Sequence, residues 1–185
     1  LEKKTTSKES TSAAPDRRVV VEKVRPELDD GRFPIKRVVG EQVCVEADAF
    51  ADGHDELVCF LLYRNEDDSD WTQLPMRPLG NDRWRAEFTV AELGQYRYTV
   101  QARLEPFLTW LRDLKKRLQA GQDVRPELPV GAAIVAAAAV RAEAAGQKAE
   151  ARRLKDLAKD LETRGDPIEK AARLAAPELT DWSAN

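Results

Sequence analysis

The chain has 185 residues, 42% hydrophobic and 34% charged, with a net charge of -3 at pH 7. That balance is typical of a globular protein rather than a disordered one, and it leaves no basic footprint for nucleic acid. The length excludes a (β/α)8 barrel, which needs about 200 residues or more, and no apolar run reaches the ~18 residues of a membrane-spanning helix; the expected partners therefore include neither nucleic acid nor membrane, and the expected location is cytoplasmic.

Residues 1–16 (LEKKTTSKESTSAAPD) are rich in Ser, Thr and Lys. With so little to bury they cannot offset the entropy of ordering, and they read as a tail. Residues 17–105 then alternate with a period of two. Val43, Val45, Ala47 and Ala49 oppose Cys44, Glu46 and Asp48; Trp84, Ala86, Phe88 and Val90 oppose Arg83, Arg85, Glu87 and Thr89; Tyr96, Tyr98, Val100, Ala102 and Leu104 oppose Gln95, Arg97, Thr99, Gln101 and Arg103. Further runs at 56–65 and 71–74 bring the total to about seven short strands. Turn residues separate them, including Asp52-Gly53, Asp67 to Asp70, and Gly80-Asn81-Asp82. Short alternating strands without intervening helices predict an antiparallel β-sandwich of the immunoglobulin type. Cys44 and Cys59 both fall in strands and are expected to be reduced thiols.

After Glu105-Pro106 the period becomes helical, so residues 106–185 are expected to form a small helical bundle of about four helices. Phe107, Leu111, Leu114 and Leu118 lie at i, i+4, i+7 and i+11, one seam of the first helix. Residues 131–145 are nearly all alanine with Ile134, Val135 and Val140, and Gly146 reads as the stop. Leu154, Leu157 and Leu161 mark a third helix. Asp166-Pro167-Ile168-Glu169 opens a fourth, with Asp as N-cap and Pro at the first helical position, and Pro177 is expected to end it. Helices this short and alanine-rich are marginal alone, so they must pack on one another, on the sandwich or on a second subunit.

No motif carries chemistry. His54 is the only histidine and sits in a turn, where a hydrogen-bonding role outweighs a metal one. The acidic run Glu66, Asp67, Asp68, Asp70 lacks the ordered alternation and glycine of a calcium loop and reads as a solvated tip. Glu46 and Asp48 share one outward strand face among other charges, with no apolar pocket to raise a pKa. No catalytic residue, metal ligand or cofactor is therefore assigned. Among the aromatics, Trp84 is expected in the core, Trp71 is open between core and surface, and Trp110, off the leucine seam and near basic residues, suits an interface.

Four phrases in order, GRFPIKRVVGEQV (31–43), ADAFADGHDEL (47–57), PLGNDRWRAEFTVAELGQYRYTV (78–100) and TWLRDLKKRLQAGQDV (109–124), closely resemble the amino-terminal region of bacterial α-1,4-glucan:maltose-1-phosphate maltosyltransferases of the α-amylase superfamily. The resemblance implies a sandwich with a helical extension that helps build a homodimer. It also implies that the catalytic Asp and Glu belong to a barrel outside this sequence, so no catalytic residue transfers. The whole enzyme would move maltosyl from α-maltose 1-phosphate to an α-1,4-glucan. The expected dimer interface combines Phe107, Trp110, Leu111 and Leu114 with the small-residue surface of 131–145. Two other readings are an autonomous carbohydrate-binding module and a helical adaptor for an unrelated partner.

Overall fold

The computed structural model describes residues 19–29, 31–163 and 165–174. The expected tail at 1–16, the stop at Pro177 and Trp182 lie outside them. Seven strands come first: β1 (Val19–Arg25), β2 (Gln42–Ala51), β3 (Leu57–Asn65), β4 (Thr72–Pro75), β5 (Arg77–Gly80), β6 (Arg83–Thr89) and β7 (Tyr96–Leu104). They form two antiparallel sheets, one ordered β1-β2-β6-β5 and the other β4-β3-β7. The alternating side chains explain the layering. Val43, Val45, Ala49 and Phe88 of the first sheet, with Val90 just past β6, meet Cys59 and Leu61 of the second in one core, with Trp84, Tyr63, Tyr96, Tyr98 and Val100 packed against it. The Tyr63 and Phe88 rings stack across the sheets at 4.4 Å between centroids.

Strand β5, with Pro78 and Gly80, was not foreseen. It is an edge strand paired only with β6 and irregular between Pro78 and Gly80, the one setting in which a sheet tolerates proline. Chain alternation cannot reveal such a strand, because all four of its residues are exposed. Both cysteines are free. Burial pushes the Cys59 thiol up to about 12 and raises that of Cys44 as well.

The switch of period at Glu105-Pro106 falls between β7 and α1 (Pro106–Gln119); α2 (Glu127–Ala144), α3 (Lys148–Glu162) and α4 (Pro167–Leu174) follow. Gly121 and Gly146 adopt positive φ just past α1 and α2. At the second, Gln147 N–H donates to Ala142 O and Gly146 N–H to Glu143 O, closing the last carbonyls of α2. Ile168 N–H donates to the Asp166 carboxylate at 2.9 Å, the expected cap of α4. Lys170, almost fully buried, donates through Nζ to the carbonyls of Asp160 and Thr163, which terminates α3 and ties α4 to it.

Of the three packing options open to these helices, the first is realised: they pack on one another. Phe107, Trp110, Leu111 and Leu114 of α1 join Ala132, Val135 and Ala139 of α2, Leu154 and Leu161 of α3, and Ala171 and Leu174 of α4 in a core of their own. The alanines allow close approach. At Gly131 a Cβ would run into Trp110, closest to Cζ2 and 2.5 Å from Cη2; the indole is held there because its Nε1–H donates to Glu127 O at 3.0 Å. Gly131→Val adds bulk against a ring that cannot withdraw, and we expect a loss of about 1–3 kcal/mol, read as a lower urea midpoint with unchanged slope. A change within about 0.5 kcal/mol would show that the α1–α2 contact is looser than described.

Candidate functional site

Two features of the sandwich were weighed for chemistry, the Glu46 and Asp48 face and the acidic run, and the side chains of both make local contacts. On the outer face of the first sheet Asp48 is buried beneath two cations: Lys23 Nζ and Arg83 Nε each donate to its carboxylate at 3.0 Å. Arg83 also reaches Glu46 at 3.4 Å, and Arg85 bonds Glu87 at 2.5 Å. Pairing across β1, β2 and β6 sets these distances, since Glu46 faces Arg85 and Asp48 faces Arg83 in the ladder. The hydrogen bond from Lys23, followed by that from Arg83, holds the Asp48 carboxyl below its usual range. A general acid needs the opposite shift, so Asp48 is held as a carboxylate within an ionic network.

The acidic run forms the tip between β3 and β4. Its carboxylates accept local donors, Asp68 from Asn65 N–H, Glu66 from Gln95 N–H and Asp70 from Ser69. Among the described residues no group of three or more His, Cys, Asp or Glu is placed to hold a metal. His54 presents its backbone carbonyl to Arg112, so its structural part is played by the main chain.

The aromatics divide as follows. Trp84 packs on the sandwich core and donates through Nε1 to Ala49 O at 3.2 Å. Trp71 is exposed, with the Arg64 guanidinium 5.0 Å above its ring, a cation–π contact that occupies one face of the indole. Trp110 is buried in the helical core. The four residues proposed from sequence for a subunit interface, Phe107, Trp110, Leu111 and Leu114, are at most 5% exposed; they are covered from within the chain by α2 and α4.

What α1 does not present, α2 does. Its inner residues Gly131, Ala132, Val135, Ala139 and Ala142 are buried, whereas Val130, Ala133, Ala137, Val140 and Ala144 are exposed, Val130 at 50% and Val140 at 63%. Their spacing of 3, 4, 3 and 4 residues puts all five on one outward stripe, and none carries charge. The signal in the sequence was the unbroken apolar run, which is too apolar for a helix with a single buried face.

The bundle is held to the sandwich by a polar clamp. Glu105 N–H donates to Glu56 O, extending the β7–β3 ladder by one step. Four residues on, Thr109 Oγ1 accepts Glu56 N–H at 2.8 Å, and one turn further Arg112 Nη1 bonds the Glu56 carboxylate at 2.8 Å. Beside this junction an open groove of about 1080 Å³ runs between Leu104, Phe107, Ala138, Ala142 and Leu154, rimmed by Arg103, Arg141, Lys148 and Arg153.

The described residues thus form two antiparallel sheets packed as a sandwich and an attached helical bundle, with the Asp48 cluster paired ionically. Comparison with known proteins places the chain. The family model described as "Alpha-1,4-glucan:maltose-1-phosphate maltosyltransferase, domain N/S" matches residues 17–185, and the chain belongs to that family. Among relatives named α-1,4-glucan:maltose-1-phosphate maltosyltransferase, that of Chlorobaculum tepidum is 50% identical over 127 residues, covering 69% of this chain and 19% of the relative. That of Myxococcus xanthus is 46% identical over 167 residues, 88% of this chain and 25% of the relative. That of Burkholderia pseudomallei is 34% identical over 171 residues, 92% and 15%. The chain thus spans a quarter or less of the length of these relatives.

Because the folded pKa of Asp48 lies below its unfolded value, its stabilisation is present above the unfolded pKa and is lost as pH falls through the folded one. Asp48→Asn should therefore lower the urea midpoint at pH 7, and the gap from wild type should close at pH values below the carboxylate range. A gap that persists undiminished in acid would mean that the carboxylate charge is not what Lys23 and Arg83 hold.

Proposed function

We propose that this chain is the non-catalytic scaffold and dimerisation region of a cytoplasmic maltosyltransferase that extends α-1,4-glucan from α-maltose 1-phosphate. The observation that carries the dimerisation is the outward stripe of α2. Val130, Ala133, Ala137, Val140 and Ala144 form an uncharged row of mostly small side chains, and small residues let two helix backbones approach closely enough for sustained dispersion contact. Phe107, Trp110, Leu111 and Leu114 stand behind it as the core on which α2 rests. Their part in an interface is support.

The scaffold reading draws on the family's definition as domain N/S of a maltosyltransferase and on the relatives' greater length. The catalytic carboxylates then belong to the remainder of the polypeptide, which agrees with the pairing of Asp48 to Lys23 and Arg83. That no described helix is long and apolar enough to cross a membrane fits a cytoplasmic enzyme. The immunoglobulin type of the sandwich is part of the proposal. Orders β1-β2-β6-β5 and β4-β3-β7 correspond to strands A-B-E-D and C′-C-F of that fold, with the chain leaving for α1 where strand G would follow.

Sedimentation velocity at tens of micromolar tests this. Wild type should sediment as a dimer and Val140→Asp, which would bury a charge in the dimer but lies on the solvent side of the protomer, as a monomer with an unchanged far-ultraviolet circular dichroism spectrum. The same preparations should release no phosphate from α-maltose 1-phosphate. A wild type that remains monomeric, or a Val140→Asp dimer, contradicts the assignment of the stripe, and turnover by the isolated chain contradicts the non-catalytic reading.

A further inference from the structure

Ten large hydrophobic side chains are exposed among the described residues, and four of them, Leu28, Phe33, Val38 and Val39, lie in the single connection between β1 and β2. Phe33 is 56% and Val38 69% exposed. An unstructured connection would normally turn such residues inward or replace them with polar ones. This one is held in place by its backbone. Leu28 and Phe33 form an antiparallel bridge, with Phe33 N–H donating to Leu28 O and Arg32 N–H to Asp29 O; bridge partners project to the same side, so the two side chains form one ridge.

The second half is pinned as firmly. Val38 N–H donates to the Glu41 carboxylate, Glu41 N–H to Val38 O, Gly40 N–H to Val90 O, and Val90 N–H returns to Glu41 O. Tyr98, from the opposite sheet, donates its hydroxyl to Pro26 O. Charges at the ridge are mostly spent internally, Arg32 on Asp29 and Arg37 on Glu41. Lys36 has no ion partner among the described residues. An apolar ridge already ordered without its contact pays little conformational entropy on docking, the condition that favours a permanent interface.

We propose that this ridge seats the sandwich against the catalytic portion of its own longer polypeptide, in an apolar recess that carries a carboxylate facing Lys36. The proposal rests on the reading above that the chain is one region of a maltosyltransferase. The relatives supply the occupant: at least three quarters of each lies outside the matched segment. A covalently linked neighbour is present at an effective concentration on the order of millimolar, so a ridge of four side chains suffices where a free partner would need a standard interface. The ridge and the α2 stripe arise from different elements, the β1–β2 connection and the helical bundle, which lets one serve the rest of the chain and the other a second copy.

Hydroxyl-radical footprinting by mass spectrometry, on the full-length gene product and on the 185-residue chain, reads the ridge directly. In the full-length product Leu28, Phe33, Val38 and Val39 should be modified about fivefold or more slowly than in the 185-residue chain, as expected for residues at an interface centre, while Leu93, 88% exposed, is modified equally in both. Equal modification of the ridge in a full-length product that releases phosphate from α-maltose 1-phosphate overturns the docking proposal and leaves the maltosyltransferase reading standing. Protection that already rises with concentration in the 185-residue chain assigns the ridge to a second copy and overturns it too. A full-length product without that activity removes the reading and the proposal together.

Discussion

The short polar junction at Glu56 is the contact on which the rest of the arrangement depends. Sandwich and bundle have separate hydrophobic cores, so hydrophobic burial alone would leave their relative orientation free. Orientation is set where β7 runs directly into α1 with only Glu105 between. Glu56 accepts from Glu105 N–H, donates its own N–H to Thr109 Oγ1, and binds Arg112 through its carboxylate. Arg112 also donates to the His54 carbonyl and pairs with Asp113. Three successive turns of main chain and helix are thereby fixed to one strand end. Charged hydrogen bonds of this kind are directional, and direction is what a two-core protein lacks.

From that orientation follows a division of surfaces. The outer face of the first sheet is closed by ion pairs around Asp48 and Glu46. Exposed pairs of this type add little stability each, yet together they cover the carboxylates of this face with cations. Of the ten exposed large hydrophobic side chains among the described residues, six lie on the α2 stripe and the β1–β2 connection.

Much of this was legible in the sequence because burial has a period. Trp84, Ala86, Phe88 and Val90 alternate without error, and they lie in or against the core; Asp166-Pro167 announced a helix cap that is formed. Less legible was whatever depends on who covers an apolar face. Phe107, Leu111 and Leu114 carry the same stripe whether α2 or a second subunit lies on it, and nothing in their spacing separates the two. Trp110, off the leucine seam and near basic residues, read as suited to an interface; within the chain its ring is accommodated by a glycine 21 positions later, Gly131, and such a pairing is invisible until the helices are docked. The ridge was also missed as a surface. Its residues were noticed as a phrase, GRFPIKR, whereas their exposure depends on backbone bridges that alternation does not encode.

The central claim is that the Glu56 junction makes sandwich and bundle one rigid carrier. Residual dipolar couplings of backbone amides in the 185-residue chain test it most directly. A single alignment tensor should fit β1–β7 and α1–α3 together in wild type, and separate tensors should be needed once Arg112→Ala and Thr109→Val remove the side-chain half of the clamp. Two tensors in the wild-type chain would contradict the account.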